Sequence, residues 1–294
     1  MQIGNLKSSD LSIFNLAPMA SILWVMLLEF TLLMLFGQAM IAKAGEPAQE
    51  AYLRANQLFI QGKLEQSLEA ANQVLRLNPN FVPALTLRAK LSMAFNRLAE
   101  AGTDLTRAVE LEPKSAYNQF MLGFYYYLEN DFKRALQPLN RSAELDEGNS
   151  RTYFYLALTH EGLANVPVAI QLYERAIALD REKKTPDLDT LIAFARLLFS
   201  LGQYEKCLSM VEQALSLDSK SRDAHYERGR LYLQAGDFES AIQHGERALQ
   251  VQSPGTTDRQ IHFLLVRAYA RAGNQQRADE HLAKFKASAP SLRR

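Results

Sequence analysis

The chain has 294 residues, of which 33 are basic and 32 acidic, so its formal net charge is +1. This charge argues against proteins that bind nucleic acid by neutralising phosphates, because they need a basic surface. A single cysteine, Cys207, excludes an intrachain disulfide framework and a multi-cysteine metal site. With 48% hydrophobic residues, 14 glycines and 10 prolines, the composition favours a packed core built from helices.

An apolar segment near the N-terminus stands apart from the rest of the chain. Its densest part, residues 22–36, is short for a membrane-spanning helix unless its flanks extend it. The Ala-Lys-Ala sequence at 42–44 fits the small-x-small cleavage pattern of a secretory signal. We therefore predict that residues 1–44 are a signal peptide, or a signal anchor that crosses the membrane through residues 16–42.

Three interpretations of this segment stay open: a cleaved export signal, an uncleaved anchor, and a helix packed into the following domain. Glu29 disfavours the first two, because an unpaired carboxylate at mid-membrane costs about 3 kcal/mol. Translation from Met19 would leave a more ordinary signal, because it removes the long lead. Both membrane interpretations predict an exported or membrane-anchored protein with the remaining chain on the extracytoplasmic side.

From residue 48 onward the sequence repeats with a period of 34 residues. Seven short triplets that resemble turns mark the period, and they begin at Gly62, Asn96, Asn130, Ala164, Gly202, Gly236 and Gly273. A small side chain lies five positions after the start of each triplet: Ser67, Ala101, Ala135, Ala169, Cys207, Ala241 and Ala278. Because small residues let two helices approach closely, the pattern predicts stacked helix pairs that bury their apolar stripes against neighbours.

This pattern resembles the tetratricopeptide repeat, a helix–turn–helix unit of 34 residues. The family's first-helix pattern Leu-Gly-x-x-Tyr occurs as Leu122-Gly123-x-x-Tyr126, and as Arg-Gly-x-x-Tyr at 228–232. The resemblance implies an all-α, right-handed α-solenoid of about seven hairpins over residues 45–294, preceded by an N-terminal hydrophobic helix. The predicted repeats cover residues 48–81, 82–115, 116–149, 150–183, 188–221, 222–255 and 259–292.

Two residue types mark the predicted helix ends and bends. Four triplets begin with glycine where a first helix must end, so a left-handed backbone is expected there: Gly62, Gly202, Gly236 and Gly273. Pro138 lies inside a predicted second helix and is able to kink it.

In this family the first helix of each pair lines a concave groove, and its outward positions contact the ligand. The resemblance therefore implies a partner-binding groove with two populations of side chains. Repeats one to four contribute mostly aromatic residues: Tyr52, Asn56, Phe59, Lys90, Tyr117, Phe120, Phe124, Tyr127, Arg151, Phe154 and Tyr155. Repeats five to seven contribute Arg196, Phe199, Tyr226, Arg230, Phe263, Arg267 and Arg271.

Three of these arginines, Arg196, Arg230 and Arg267, occupy the same repeat position, so stacking predicts a ladder suited to carboxylates. Two alternatives stay open. The aromatic side chains fill helix–helix seams, and the arginines are solvated or paired with Glu161, Asp189, Asp223 and Glu227. Binding of chaperone tails is not predicted, because Tyr52 stands where the carboxylate clamp of heat-shock-chaperone adaptors has a lysine.

The sequence lacks the motifs of common enzymes. His160-Glu161 begins like the zinc-protease helix motif, but Ala164 stands where the second histidine is required. Four histidines recur at equivalent repeat positions, which repeat architecture explains better than metal binding: His225, His244, His262 and His281. We predict no catalytic residue, metal or cofactor, and we expect Cys207 to be a buried, inert thiol.

The function expected from these observations is a non-enzymatic protein–protein interaction scaffold outside the cytoplasm. It would hold a peptide or partner domain in the concave groove, with acidic groups as the expected target of the arginines. The alternative is a membrane-tethered assembly subunit of an envelope complex. Such a subunit would self-associate or dock through its last repeat, since no polar capping helix follows that repeat in the sequence.

Overall fold

The computed structural model describes residues 47–252 and 255–288. Every regular element in these two ranges is a helix, and short turns connect the helices, which confirms the predicted all-α fold. The predicted signal or anchor, residues 1–44, and the end of the last predicted repeat, 289–292, lie outside the described residues. Across the ranges that are described, no helix is both long enough and apolar enough to cross a membrane.

The helices come in pairs, and a turn of a few residues separates the two members of each pair. Helix α1 covers residues 47–60. It is followed by α2 (Leu64–Leu77), α3 (Val82–Ala94), α4 (Leu98–Leu111), α5 (Ala116–Leu128), α6 (Phe132–Leu145), α7 (Ser150–Gly162), α8 (Val166–Lys183), α9 (Leu188–Ser200), α10 (Tyr204–Leu217), α11 (Arg222–Ala235), α12 (Phe238–Leu249), α13 (Asp258–Arg271) and α14 (Gln275–Ala287).

The chain divides into two compact units, Met1–Leu111 and Glu112–Arg294. In the described part of the first unit, α1 to α4 pack through small and branched apolar side chains such as Ala55, Leu91 and Ala108. The core of the second unit is centred on Tyr173, which is fully buried and stacks on Phe194 with ring centroids 5.2 Å apart. Each unit therefore has its own apolar core.

The small side chains that recur with the repeat are all buried. None of the seven is more than 2% exposed: Ser67, Ala101, Ala135, Ala169, Cys207, Ala241 and Ala278. Burial raises the pKa of the Cys207 thiol to about 12. Because the thiolate is the reactive form of cysteine, this position favours packing over chemistry, as the sequence predicted.

The turn inside each helix pair begins with a left-handed residue. The four glycines behave as predicted, for example Gly236 with φ of +84°. Asn96, Asn130 and Ala164 hold the same turn position and adopt φ of +58°. The sequence did not predict this, because a left-handed backbone costs a residue with a Cβ about 1 kcal/mol. The geometry of the repeated turn therefore overrides the residue preference, most clearly at Ala164.

Candidate functional site

Four of the predicted groove residues lie in the first unit, and all four are half-buried. Tyr52 on α1 packs its ring against Phe81, with centroids 5.5 Å apart. Lys90 on α3 places its Nζ atom 4.5 Å from the ring centre of Phe59 on α1. Asn56 lies between these contacts on α1. The side chains of α1 and α3 thus share one surface, as the repeat position predicts.

The second unit contains a cleft of about 350 Å³ whose walls come from first helices. Helices α5, α7, α9 and α11 all contribute side chains, together with the loop that precedes α13. This is the helix set that the repeat pattern assigned to a groove. The lining residues are Phe124, Tyr127, Leu128, Phe154, Tyr155, Leu158, Leu188, Asp189, Ile192, Ala193, Arg196, Asp223 and Gly255.

Tyr155 is the centre of the aromatic wall of this cleft. Its ring packs edge-on against Phe124 at 4.7 Å and against Tyr127 at 5.4 Å, measured between ring centroids. Such edge-to-face pairs are favourable beyond the area that they bury. Burial, and then the neighbouring Tyr155 and Glu161, raise the pKa of Tyr127, so its phenol is neutral at physiological pH. The wall is therefore a fixed, uncharged aromatic surface.

Two of the aromatic residues predicted for the groove, Phe120 and Phe154, are mainly core residues. Phe120 is 7% exposed and Phe154 is 9% exposed. Phe154 belongs to the cluster around Tyr173, at 6.3 Å between ring centroids. Their apolar rings fill the seams between helices, which is the alternative that the sequence left open. Tyr117, by contrast, is 49% exposed on α5 and does not line the cleft.

Arg196 lines the cleft, but two of its three guanidinium nitrogens already donate hydrogen bonds within the chain. Its Nε atom donates to Oε1 of Glu227 at 3.0 Å, and its Nη2 atom donates to Oδ1 of Asp223 at 2.5 Å. The same Nη2 atom also donates to the hydroxyl of Thr256 at 3.1 Å. Burial alone would lower the pKa of Arg196, but the charges of Glu227 and Asp223 outweigh it and raise the pKa. The guanidinium is thus neutralised from within the chain.

Arg230, the next arginine of the predicted ladder, is bound in a similar way. Its Nη1 atom donates to Oε2 of Glu227 at 2.6 Å. Its guanidinium carbon lies 3.8 Å above the ring centre of Phe199 and 5.8 Å from that of Tyr226. Glu227, which is fully buried, therefore bridges Arg196 and Arg230 with its two oxygens. Each of these two arginines is therefore already paired with a carboxylate of the chain, and only Nη1 of Arg196 and Nε and Nη2 of Arg230 lack an acceptor among the described residues.

The other predicted arginines remain exposed. Arg267 on α13 lies 5.9 Å from the ring centre of Phe263, which is itself 49% exposed. Arg271 is exposed one turn further along α13, and Arg151 is exposed on α7. The predicted ladder of three arginines thus splits into two that are paired internally and one, Arg267, that is exposed.

The cleft also includes residues that the repeat pattern did not predict for the groove. Gly255 lines the cleft, and the fully buried Thr256 donates its hydroxyl hydrogen to Asp223 at 2.6 Å. Both residues lie where the spacing of the triplets grows from 34 to 37 residues. That extra length is the signal that could have located them. Asp189, which the sequence analysis considered only as a partner of arginine, lines the cleft in the first turn of α9.

The four recurring histidines form two buried pairs, one within each of the last two hairpins. The Nδ1 atoms of His225 and His244 lie 2.9 Å apart, and those of His262 and His281 lie 3.0 Å apart. The ring of Tyr232 stacks on His244, and the ring of Tyr269 stacks on His281. Burial is the largest cause of a lowered pKa at all four residues. The pairs are therefore neutral packing elements at physiological pH.

Comparison with known proteins agrees with this architecture. A family model described as tetratricopeptide repeat matches residues 52–116 and 192–255. A second model, described as anaphase-promoting complex, cyclosome, subunit 3, matches residues 104–176. Anaphase-promoting complex subunit 3 of Schizosaccharomyces pombe is 23% identical over 190 residues, which are 65% of this chain and 28% of that protein. The chain spans 28%, 40% and 51% of three curated relatives.

Solved structures share the fold at low sequence identity. The structure of the hetero-tetramer Cut9–Hcn1 of the anaphase-promoting complex matches with a TM-score of 0.68 and 18% identity, over 82% of this chain and 46% of the other. YrrB, whose structure is described as having an unusual peptide-binding site, matches with a TM-score of 0.51 and 21% identity, over 69% of this chain and 99% of the other. The family-model matches and the paired helices identify tetratricopeptide repeats in this chain, and the solved structures share that fold.

Proposed function

We propose that this protein is a non-enzymatic scaffold that binds a segment of a partner protein in the cleft of its second unit. One observation carries the proposal: four successive first helices build a cleft with a fixed aromatic wall, centred on Tyr155. Aromatic side chains give large contact area at little cost in conformational entropy, and they dominate many protein interfaces. The family fold supports an interaction scaffold in general, and the cleft supports this particular place on it.

The size of the cleft favours a few side chains of a partner over a whole domain. A volume of about 350 Å³ lies in the range of sites that enclose a small ligand or part of a peptide. The wall is fixed by ring–ring contacts inside the chain, so binding does not have to order it. A short segment bound in this way would have a dissociation constant of about 1 μM.

We also propose that the repeats work on the extracytoplasmic side of a membrane. The support is the apolar stretch at 22–36 and the small-x-small pattern at 42–44. A reporter enzyme that folds only outside the cytoplasm, fused after residue 294, tests this. We expect reporter activity from the full chain and none when residues 1–44 are deleted. Equal activity from both fusions would contradict export by this segment.

The cleft proposal is tested by photo-crosslinking from single positions in the full-length chain, expressed in its native cells. A photoreactive phenylalanine analogue replaces Leu158, which lines the cleft, or Leu208, which is 37% exposed on the second helix α10. We expect a discrete protein adduct from position 158 and none from position 208. The adduct should disappear when Tyr127→Ala is added and persist when Tyr126→Ala is added.

Tyr126 is a matched control because it is the neighbouring tyrosine on α5 and does not line the cleft. Its hydroxyl instead accepts a hydrogen bond from Arg134 at 2.8 Å. Two results would show that the partner binds elsewhere. One is an equal adduct yield from positions 158 and 208, and the other is an adduct yield that does not change when Tyr127→Ala is added.

A second candidate function is self-association through the last hairpin. The observation that favours it is Phe263, which is 49% exposed and packs against Phe285 with ring centroids 5.4 Å apart. Light scattering over a hundredfold range of protein concentration tests it. A mass that rises with concentration, and that Phe263→Asp returns to the monomer value, would favour assembly. A constant monomer mass would remove this candidate.

A further inference from the structure

We propose that the cleft selects partner segments that place a lysine or arginine side chain against its aromatic wall. This inference rests on the proposed function, because it names the chemistry of the residue that the cleft accepts. It reverses the expectation from the sequence, in which the groove arginines would read acidic groups.

The charged side chains of the cleft are the first feature that favours a basic ligand. Three charged side chains line it: Asp189, Asp223 and Arg196. Arg196 is the only cation among them, and Asp223 and Glu227 already accept its hydrogen bonds. A partner carboxylate that is to bind Nε or Nη2 would have to displace these internal acceptors, one of which is fully buried, and only Nη1 lacks an acceptor among the described residues. Because two carboxylates of the chain already offset the charge of Arg196, its attraction for an acidic residue of a partner is weak.

The carboxylate of Asp189 is the second feature that favours a basic ligand. In residues 47–252 and 255–288, no hydrogen bond and no ion pair within 4 Å engages this carboxylate. Burial, and then the charge of Asp187, raise its pKa, whereas Arg151 and Arg196 act in the opposite direction. A cation bound beside Asp189 would offset this unfavourable environment. The position in the first turn of α9 also favours a negative charge, and the carboxylate of Asp189 has unused capacity to accept hydrogen bonds.

The aromatic wall is the third feature that favours a basic ligand. The faces of tyrosine and phenylalanine rings attract cations through their quadrupole, within about 6 Å of the ring centre. Arg151 shows this within the chain, since its guanidinium carbon lies 5.9 Å from the ring centre of Tyr155. Arg151 is exposed and forms no ion pair among the described residues. A partner cation that approaches more closely would displace it.

Selection from a random peptide library displayed on phage tests the inference with the full-length chain. The selected peptides are those that bind the parent chain and are lost with Tyr127→Ala. We expect lysine or arginine to be enriched at one position of these peptides and aspartate or glutamate to be depleted there. The charge-reversal variant Asp189→Lys should invert that preference. The control Glu205→Lys, an exposed residue on the second helix α10, should leave it unchanged.

Affinity of one selected peptide, measured by fluorescence polarisation, adds a quantitative test. Asp189→Asn should weaken binding about fivefold, because it removes one partly screened charge pair. Arg151→Gln should strengthen binding about threefold, because it removes the competing cation. A cleft that reads acidic residues would show the opposite sign for both variants.

The outcomes separate this inference from the function on which it rests. Peptides that depend on Tyr127 but carry no basic preference would overturn the inference and leave the binding cleft standing. Enrichment of acidic residues would do the same and would restore the expectation from the sequence. If no peptide depends on Tyr127, both the inference and the proposed binding site fail.

Discussion

Glu227 on α11 and Arg196 on α9 form an ion pair 31 residues apart, with 3.0 Å between Oε1 and Nε. Glu227 is fully buried and binds Arg230 with its other oxygen at 2.6 Å. Because the two arginines are partly exposed and the carboxylate is not, Glu227 is the member of this triad that depends on its partners. The triad joins the fifth hairpin to the sixth and fixes one side of the cleft.

Replacing Glu227 should therefore destabilise the second unit. Glu227→Gln removes the charge that both arginines share, and we expect the free energy of unfolding to fall by about 2 to 3 kcal/mol. The control is Glu212→Gln, because Glu212 is exposed and its Oε1 atom lies 3.9 Å from Arg228. That change should cost less than about 0.5 kcal/mol. Denaturation by urea measures both, and equal losses would show that the triad contributes no more than a surface pair.

The aromatic wall of the cleft is expected to supply binding energy. Tyr127→Ala removes one ring that faces the cleft, and we expect it to weaken binding of a partner peptide about tenfold. Tyr126→Ala removes the neighbouring ring, whose hydroxyl binds Arg134 outside the cleft. It should change affinity less than about twofold. Titration calorimetry checks both, and a similar loss from both variants would point to general loosening of α5.

The buried histidine pairs predict a loss of stability in acid. His225 donates from Nε2 to the carbonyl oxygen of Ser219, so its Nδ1 atom accepts from His244. Burial, and then His225, lower the pKa of His244 to about 4. The unfolded chain takes up this proton near pH 6.5, whereas the folded hairpin does so only near pH 4. The contribution of this pair to the free energy of unfolding is therefore fully present above pH 6.5, and it is lost as the pH falls to 4.

The size of this loss follows from proton linkage. For His244 alone we expect about 2 to 3 kcal/mol between pH 6.5 and 4. Because carboxylates also titrate in this range, the test compares the parent chain with the double variant His225→Leu and His244→Leu. The double variant should show a flatter dependence of the unfolding free energy on pH. Parallel curves for the two proteins would show that this pair is not the cause.

The left-handed turn at Ala164 predicts a stabilising substitution. Ala164 has φ of +58°, which costs a residue with a Cβ about 1 kcal/mol. Ala164→Gly should raise the free energy of unfolding by about 0.5 kcal/mol, since the greater freedom of the unfolded chain offsets part of the gain. Ala270→Gly, inside α13, should lower it by about 1 kcal/mol. Thermal unfolding of both variants checks the opposite signs.

Much of the fold could be predicted from spacing alone. The small residue five positions after each turn fixes where two helices touch, and the structure buries that residue in every pair. The sequence could not predict a left-handed backbone at Ala164, because the residue itself disfavours it and only the repeated geometry imposes it. At this position the geometry of the repeated turn outweighs the backbone preference of alanine.

The candidate site was predictable in position and less so in chemistry. Repeat position alone placed Tyr127, Tyr155 and Arg196 on the first helices that line the cleft. It could not predict that Arg196 donates hydrogen bonds to Glu227 and Asp223, because that pairing depends on rotamers and on carboxylates one hairpin away. Nor could it place Thr256, which the extra residues before the last hairpin bring against Arg196. Hydrogen bonds between different repeats depend on how the repeats stack, so the sequence of one repeat does not predict them.

Mapping a bound segment by NMR is the most direct test of where this protein binds. The full chain, labelled at leucine and isoleucine methyl groups, is titrated with a peptide from the library selection. We expect the methyl signals of Leu158 and Ile192, which line the cleft, to shift in a saturable way. The signals of Leu208 and Ile242, on the second helices α10 and α12, should stay in place. Shifts confined to Leu208 and Ile242 would contradict a binding site in the cleft and move it to the surface of the second helices.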